Sequence, residues 1–245
     1  MFLAIKEMKY AKLRYSLIIG IMFLISFVVF LLSGLANGLA TEFSEVIDRW
    51  DAGRIVLSEE SNGVLAASQL TIDDLSEVKT SEKAPLALYS GSVEIARGKE
   101  NLSFFGTQPE AFFLPELTEG KSFNEKNEVI ISQALADAGL AIGDTITIGS
   151  QGVEVIVTGI FPKTSYVVTP VMYGSIEAVV ETKFGSDFLA AQTNYPMNAI
   201  LTEETDPIIE NKAFQSLSTE EFIAQLPGYA EQNLTLNAMI YFLFV

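Results

Sequence analysis

The chain of 245 residues carries a formal charge of −16 and contains neither cysteine nor histidine. No disulfide, thiolate metal site, zincin motif, histidine-bound metal or Ser-His-Asp triad can be built from it, and the commonest general base is missing. So acidic a surface argues against nucleic acid and anionic lipid headgroups as partners.

Residues 1–14 hold Lys6, Lys9, Lys12 and Arg14 against the single acid Glu7. From Tyr15 to Thr41 there is no charged side chain, a stretch of 27 residues. At about 1.5 Å rise per residue it makes a helix of roughly 40 Å, longer than a hydrocarbon core of ~30 Å. A cleavable export signal is the rival reading, because Gly38-Leu39-Ala40 places small residues one and three positions before a cut. Such signals have apolar cores of about 7–15 residues, and Leu17 to Leu32 alone exceeds that. The span over 15–41 is therefore expected to stay uncut. Basic residues are retained on the cytoplasmic side, which puts the N-terminal segment inside and residues from 42 onward outside.

Leu32, Leu35 or Ala36, Leu39, Phe43, Val46 or Ile47, and Trp50 recur at three- and four-residue steps, with Glu42, Glu45, Asp48 and Arg49 between them. One helical face thus stays apolar beyond the span, which predicts a stalk helix over 42–52. The stripe either packs on its own domain or forms a seam with another helix. Asp51-Ala52-Gly53 stops it.

An extracytoplasmic domain is predicted over 53–228, large enough for its own core. "GRIVLSEE" reads as a strand, and "LTIDDLSEVK" as a short helix capped by Thr71 with Asp73 and Asp74 in its first turn. "APLALYSGSVEIA" and "ENLSFFGTQ" alternate as a hairpin turning through Arg97-Gly98-Lys99. "EAFFLPELTEGKSF" is loop. "NEVIISQALADAGLAIGDTITIGSQGVEVIVTGIF" predicts a strand, a helix ending at Gly139, a Gly143-Asp144 turn and a hairpin around Gln151-Gly152. "VVTPVMYGSIEAVVETKFG" adds a strand and a helix, and "NAILTEE" a strand. In "LSTEEF", Ser218 with Glu221 makes a capping box and Leu217 with Phe222 the hydrophobic staple. The fold class expected is α+β: a long transmembrane and stalk helix, small antiparallel sheets in two subdomains, and a second helix.

That second helix is expected to begin at Tyr229, after Pro227-Gly228, and to fill 229–245 as a truncated transmembrane segment. Ala238 to Val245 are eight apolar residues, too few to cross a bilayer. The chain reads as part of a longer membrane protein. Gly120-Lys121-Ser122 ends like a nucleotide-binding loop, but Pro115 stands where the motif needs its first glycine. It is expected to be a surface turn, and no catalytic constellation is assembled elsewhere.

A basic start, one span, an outer domain and a second span resemble the ABC permeases of the macrolide-exporter and FtsX-like type, over the whole chain. The 127–161 passage quoted above is similar to that family's helix, Gly-Asp, hairpin, valine-rich strand and Gly-Ile sequence. The opening "MFLAIKEMKYAKLRYSLIIGIMFLISFVVFLLSGLANGLA" is similar to haem-efflux permeases of Gram-positive bacteria. The resemblance implies a multi-pass cell-membrane permease, not itself an enzyme, with a cytoplasmic ATPase on a partner chain. It also implies a second permease copy, lipid around the helices, and no cofactor beyond haem as cargo. A lipophilic peptide or antibiotic is the competing cargo, and a membrane-anchored sensor or scaffold the competing class.

With haem as cargo and no histidine or cysteine, oxygen donors or a thioether must meet the iron. The resemblance then points to Tyr166 and Tyr229, which match tyrosines that the haem-efflux permeases use. Glu45 and Trp50 on the stalk and Met22 in the span are further candidates. The blander readings stay beside these: Trp50 and Tyr229 as interfacial anchors, Met22 as a lipid-facing side chain, Glu45 as a solvated stalk charge.

Overall fold

The computed structural model describes residues 11–95 and 98–226. Helix α1 spans Lys12–Arg49, 38 residues, and the chain divides after Thr41 into two compact units. In the first, Lys12–Leu35 is long and apolar enough to cross a membrane. Its side chains are bare, with Phe23 71% and Phe30 77% exposed. An apolar surface of that extent is suited to lipid, not water.

The second unit begins at Glu42 and includes the last turns of α1. Here Val46, Ile47 and Trp50 are buried in the core of the outer domain. Of the two roles open to the apolar stripe, its end takes the first and packs on its own domain. Asp51, at φ +47°, then turns the chain, and the Gly53 N–H donates to the Thr202 carbonyl at 2.8 Å. Strand β1 (Arg54–Ser58) follows.

Next come β2 (Leu70–Thr71) and a 3-10 helix over Ile72–Glu77. The Asp74 carboxylate accepts from the Thr71 N–H at 2.7 Å and from its hydroxyl at 3.0 Å, so the expected cap is present on a tighter helix. After β3 (Val78–Lys79), the hairpin of β4 (Lys83–Ile95) and β5 (Gly98–Thr107) forms. Ile95 pairs with Gly98 and Glu94 with Lys99, so two of the three residues placed in the turn by sequence belong to the strand, and the third, Arg97, lies outside the described residues. Then come β6 (Glu119–Gly120), β7 (Glu128–Ser132), α2 (Gln133–Asp137), β8 (Thr145–Ile148) and β9 (Val153–Phe161). They are followed by β10 (Ser165–Tyr166), β11 (Thr169–Ser175), α3 (Ile176–Phe184) and α4 (Ser186–Ala191). The domain closes with β12 (Pro196–Met197), β13 (Ala199–Thr202), β14 (Ile208–Ile209), β15 (Phe214–Leu217) and α5 (Thr219–Ala224). The Ser218 and Glu221 capping box is formed, the Ser218 N–H donating to the Glu221 carboxylate at 2.8 Å.

The architecture is the α+β expected, with one difference in the sheets. Among the described residues two small antiparallel pairs stand apart, β2 with β12 and β3 with β14, but eleven strands join in one sheet. Two of its pairings, β5 with β11 and β7 with β9, are parallel. Strand β4 makes the junction. Its first four residues pair with β13, which continues to β1 and β15, while Ala87 onward pairs with β5. The sequence β4, β5, β11, β7, β9, β8 returns to β4 through the single pair Val93 and Ile148, closing a ring of six strands.

Alternation along these strands makes two cores rather than two subdomains. Leu102, Phe104, Val129, Ile131, Val155, Val157 and Met172 turn to one face and pack with Ile176, Val179 and Val180 of α3. Their neighbours Phe105, Ile130, Phe161, Val171 and Tyr173 turn to the other, where they meet the end of α1. Residue periodicity of two on buried strands is what separates these layers.

Candidate functional site

The second core opens toward a short hairpin. From Phe161 the chain runs through Pro162, Lys163 and Thr164 into β10, turns at Val167-Val168, and returns as β11. Tyr166 pairs with Thr169 across the turn. Val167 and Val168 lie at φ +47° and +69°, the left-handed region that suits Asn and Gly and is costly for β-branched residues. The hairpin is held from three sides. The Thr169 hydroxyl donates to the Tyr166 carbonyl at 2.7 Å, Ser103 and Thr169 hydroxyls meet at 2.6 Å, and the Ser165 N–H donates to Glu45 Oε2 at 3.2 Å.

That last contact ties the hairpin to α1 across 120 residues of sequence. The other Glu45 oxygen accepts from the Arg49 guanidinium at 2.8 Å. Glu45 is therefore not a freely solvated stalk charge. The residue after Ser165, Tyr166, has a buried ring that stands edge-on to Phe105 at 5.3 Å. Phe105 stacks on Tyr173 at 5.6 Å, and Trp50 meets Phe105 edge-on at 5.5 Å. The Trp50 indole N–H donates to the Tyr173 hydroxyl at 2.9 Å.

The structure thus ties Glu45 to Ser165, the residue before Tyr166, while the Tyr166 ring itself packs in the aromatic core. It corrects the placement of Trp50. Expected at the outer membrane surface as a cargo-binding or interfacial group, Trp50 is fully buried, with its polar atom bonded inside the domain. The physical reason is that the apolar face of the stalk ends in the core and carries the indole with it. Met22 lies on the exposed span, 65% exposed. Tyr229 lies outside the described residues, as does the expected second helix. Gly120 belongs to the exposed strand β6, paired with β9, and Lys121 pairs with Glu128 at 3.2 Å, so the segment is on the surface as expected but as a strand end and not a turn, and it is not a phosphate loop. Phe105, Tyr173, Ser165 and Arg49 are the residues that sequence reasoning missed. Of these only Arg49, four residues after Glu45 on a helix, carried a local signal.

Burial raises the pKa of both the Tyr166 and Tyr173 hydroxyls; for Tyr173 the Trp50 hydrogen bond and the Arg49 charge work against the rise. Both phenols are neutral at pH 7. A tyrosine pKa of ~10 in the unfolded chain and a higher one in the folded protein means that unfolding releases protons above pH ~10. Stability is complete below that pH and is expected to fall as pH rises past it. The slope is about 1.4 kcal/mol per pH unit for each buried tyrosine. Urea melts of the chain in detergent across the alkaline range measure it, and Tyr166→Phe should lower the slope by one tyrosine's share.

Residues 16–201 match the family model described as the MacB-like periplasmic core domain. A protein named as a hemin transport system permease, HrtB, of Staphylococcus haemolyticus is 26% identical over 244 residues, 99% of this chain and 68% of that protein. Its namesake in Staphylococcus epidermidis is 25% identical, again over 99% of this chain and 67% of its own length. An uncharacterised ABC transporter permease of Mycobacterium tuberculosis is 26% identical over 170 residues, 67% of this chain and 47% of that one. The periplasmic region of MacB from Actinobacillus actinomycetemcomitans superposes with a TM-score of 0.52 at 16% identity. The match covers 73% of this chain and 96% of that structure and shows a shared fold.

Proposed function

This chain belongs to the MacB-like periplasmic core domain family, as an outer domain and apolar membrane helix of an FtsX-like ABC permease, and from that premise we propose that it takes part in the export of haem. The N-terminus is cytoplasmic, a separate ATPase chain supplies the energy, and two permease copies work together. Nucleotide-driven closure passes along α1 to the outer domain, whose core receives the end of that helix.

The observation that carries the cargo is the hydrogen bond from the Ser165 N–H to Glu45, which joins a carboxylate of the stalk to the strand that bears Tyr166. Relatives named for hemin transport match along 99% of the chain, which supports the same reading. Haem is a flat apolar macrocycle bearing iron and acidic side chains. In a chain without histidine or cysteine, oxygen donors such as Glu45, Tyr166 and Tyr229 are the available iron ligands, and Met22 in the span is a separate thioether candidate. The neutral, buried Tyr166 phenol must lose its proton to bind iron as tyrosinate, which a metal ion promotes.

The test is the haem absorption spectrum of the full-length permease in detergent. Wild type is expected to show a coordinated-haem band that Tyr166→Phe and Tyr229→Phe together abolish. Equal spectra would remove the tyrosines from the site, and no uptake at all would remove haem and favour a lipophilic cargo without iron.

A further inference from the structure

Both oxygens of Glu45 are engaged, one by the Ser165 N–H and the other by Arg49. The reverse does not hold. A guanidinium has five N–H donors in a planar fork, and among the described residues Arg49 directs a single one, at 2.8 Å, to Glu45. Its side chain is 41% exposed while that of Glu45 is 26% exposed, so the cation is the outer member of the pair. An exposed ion pair one helical turn apart adds little to stability and can be exchanged at small cost. The Arg49 charge also reaches the Tyr173 hydroxyl in the aromatic cluster. Lys163, exposed and two residues before Ser165, adds a second positive charge on the adjoining connection.

We infer that Arg49 is the specificity-determining residue of the stalk site: it binds an acidic side chain of an amphipathic anionic cargo and in that exchange releases Glu45. The inference rests on the haem reading above. Guanidinium and carboxylate match as a bidentate pair, and the weak hydration of Arg makes it the better cation at an apolar margin. When the cargo's carboxylate takes the fork, Glu45 Oε1 loses its partner and becomes free to approach the metal. No bond other than the ion pair breaks, and one ion pair replaces another. A neutral macrocycle offers no carboxylate and leaves the Arg49–Glu45 pair closed. The acid groups are thus read before the metal is held.

The experiment titrates full-length permease in detergent with haem and with its dimethyl ester, followed by absorbance, for wild type, Arg49→Gln and Arg49→Lys. Wild type is expected to bind haem about tenfold more tightly than the ester, the factor one charged pair supplies. Arg49→Gln should bind haem and the ester with equal affinity, and Arg49→Lys should recover part of the preference. If Arg49 merely restrains Glu45, Arg49→Gln will bind haem as well as wild type or better, with the ester ratio unchanged, and the inference is overturned. If wild type binds neither porphyrin, the haem reading fails and takes the inference with it. Emission from Trp50, the single tryptophan of the chain, reports that each variant is folded.

Discussion

Replacing Trp50 with alanine is expected to remove about 3–5 kcal/mol of stability from the outer domain, the usual cost of truncating a fully buried aromatic. The indole is wholly enclosed, edge-on to Phe105 and Phe113. Collapse around the vacated volume is hindered because the surrounding rings are themselves held against Tyr173. Set against a typical domain stability of about 5–15 kcal/mol, the loss is a large fraction of the total. Trp50→Phe separates packing from polarity. It keeps most of the apolar area but withdraws the N–H that the buried Tyr173 hydroxyl accepts. Tyr173→Phe does the converse and leaves the indole N–H unpaired, at about 1–3 kcal/mol. Trp50→Phe with Tyr173→Phe should therefore cost less than the two single changes added together, because no orphan polar atom remains. Urea melts of the chain in detergent, followed by near-ultraviolet circular dichroism, measure all four. Strict additivity would mean that the hydrogen bond contributes nothing.

What could be read in advance was local. The apolar steps to Val46, Ile47 and Trp50, the Ser218–Glu221 box and the alternation in β8 and β9 are set by residues a few positions apart, where propensity and periodicity act directly. The parallel neighbours β5 and β11 are separated by about seventy residues, and nothing in "LSFFGT" or "PVMYGS" names its partner. Closure of the strand ring hangs on Val93 and Ile148 alone, a pairing that alternation cannot specify. The turn between β4 and β5 was misplaced because glycine suggested it, whereas Gly98 pairs with Ile95 inside the strand. At the site, Tyr166 was reached through family resemblance and Glu45 through its place on the stalk near the outer membrane surface, but the hydrogen bond that ties Glu45 to Ser165 is a tertiary fact. Trp50 was misread because a tryptophan just past a membrane span suits an interface and a domain core equally well.

Gly53→Ala is expected to be the other severe substitution, for a reason that bears on how the stalk moves the domain. Gly53 lies between α1 and β1, and a methyl group there would overlap the backbone of Glu203 and Glu204. Neither is the tip of a flexible side chain that could swing aside. The Gly53 N–H is bonded to the Thr202 carbonyl, Thr202 is fully buried, and its hydroxyl donates to the Glu204 carbonyl at 2.8 Å. On the far side of the junction, Thr219 donates its hydroxyl to the Ala52 carbonyl at 2.9 Å, and Arg54 Nε donates to the Thr205 carbonyl at 2.8 Å. The junction that follows α1 is therefore clamped over Ala52, Gly53 and Arg54 to α5, to the end of β13 and to Thr205 beyond it. The methyl can be accommodated only by shifting that clamp, at about 1–3 kcal/mol for overpacking of this kind. If closure on the cytoplasmic side reaches the outer domain through α1, this junction transmits it. Gly53→Ala should then lower transport by more than its stability loss accounts for at temperatures where the domain stays folded. Proteoliposome export assays beside urea melts decide the point. Full export in a variant that is folded but destabilised would show that the movement reaches the domain by another route.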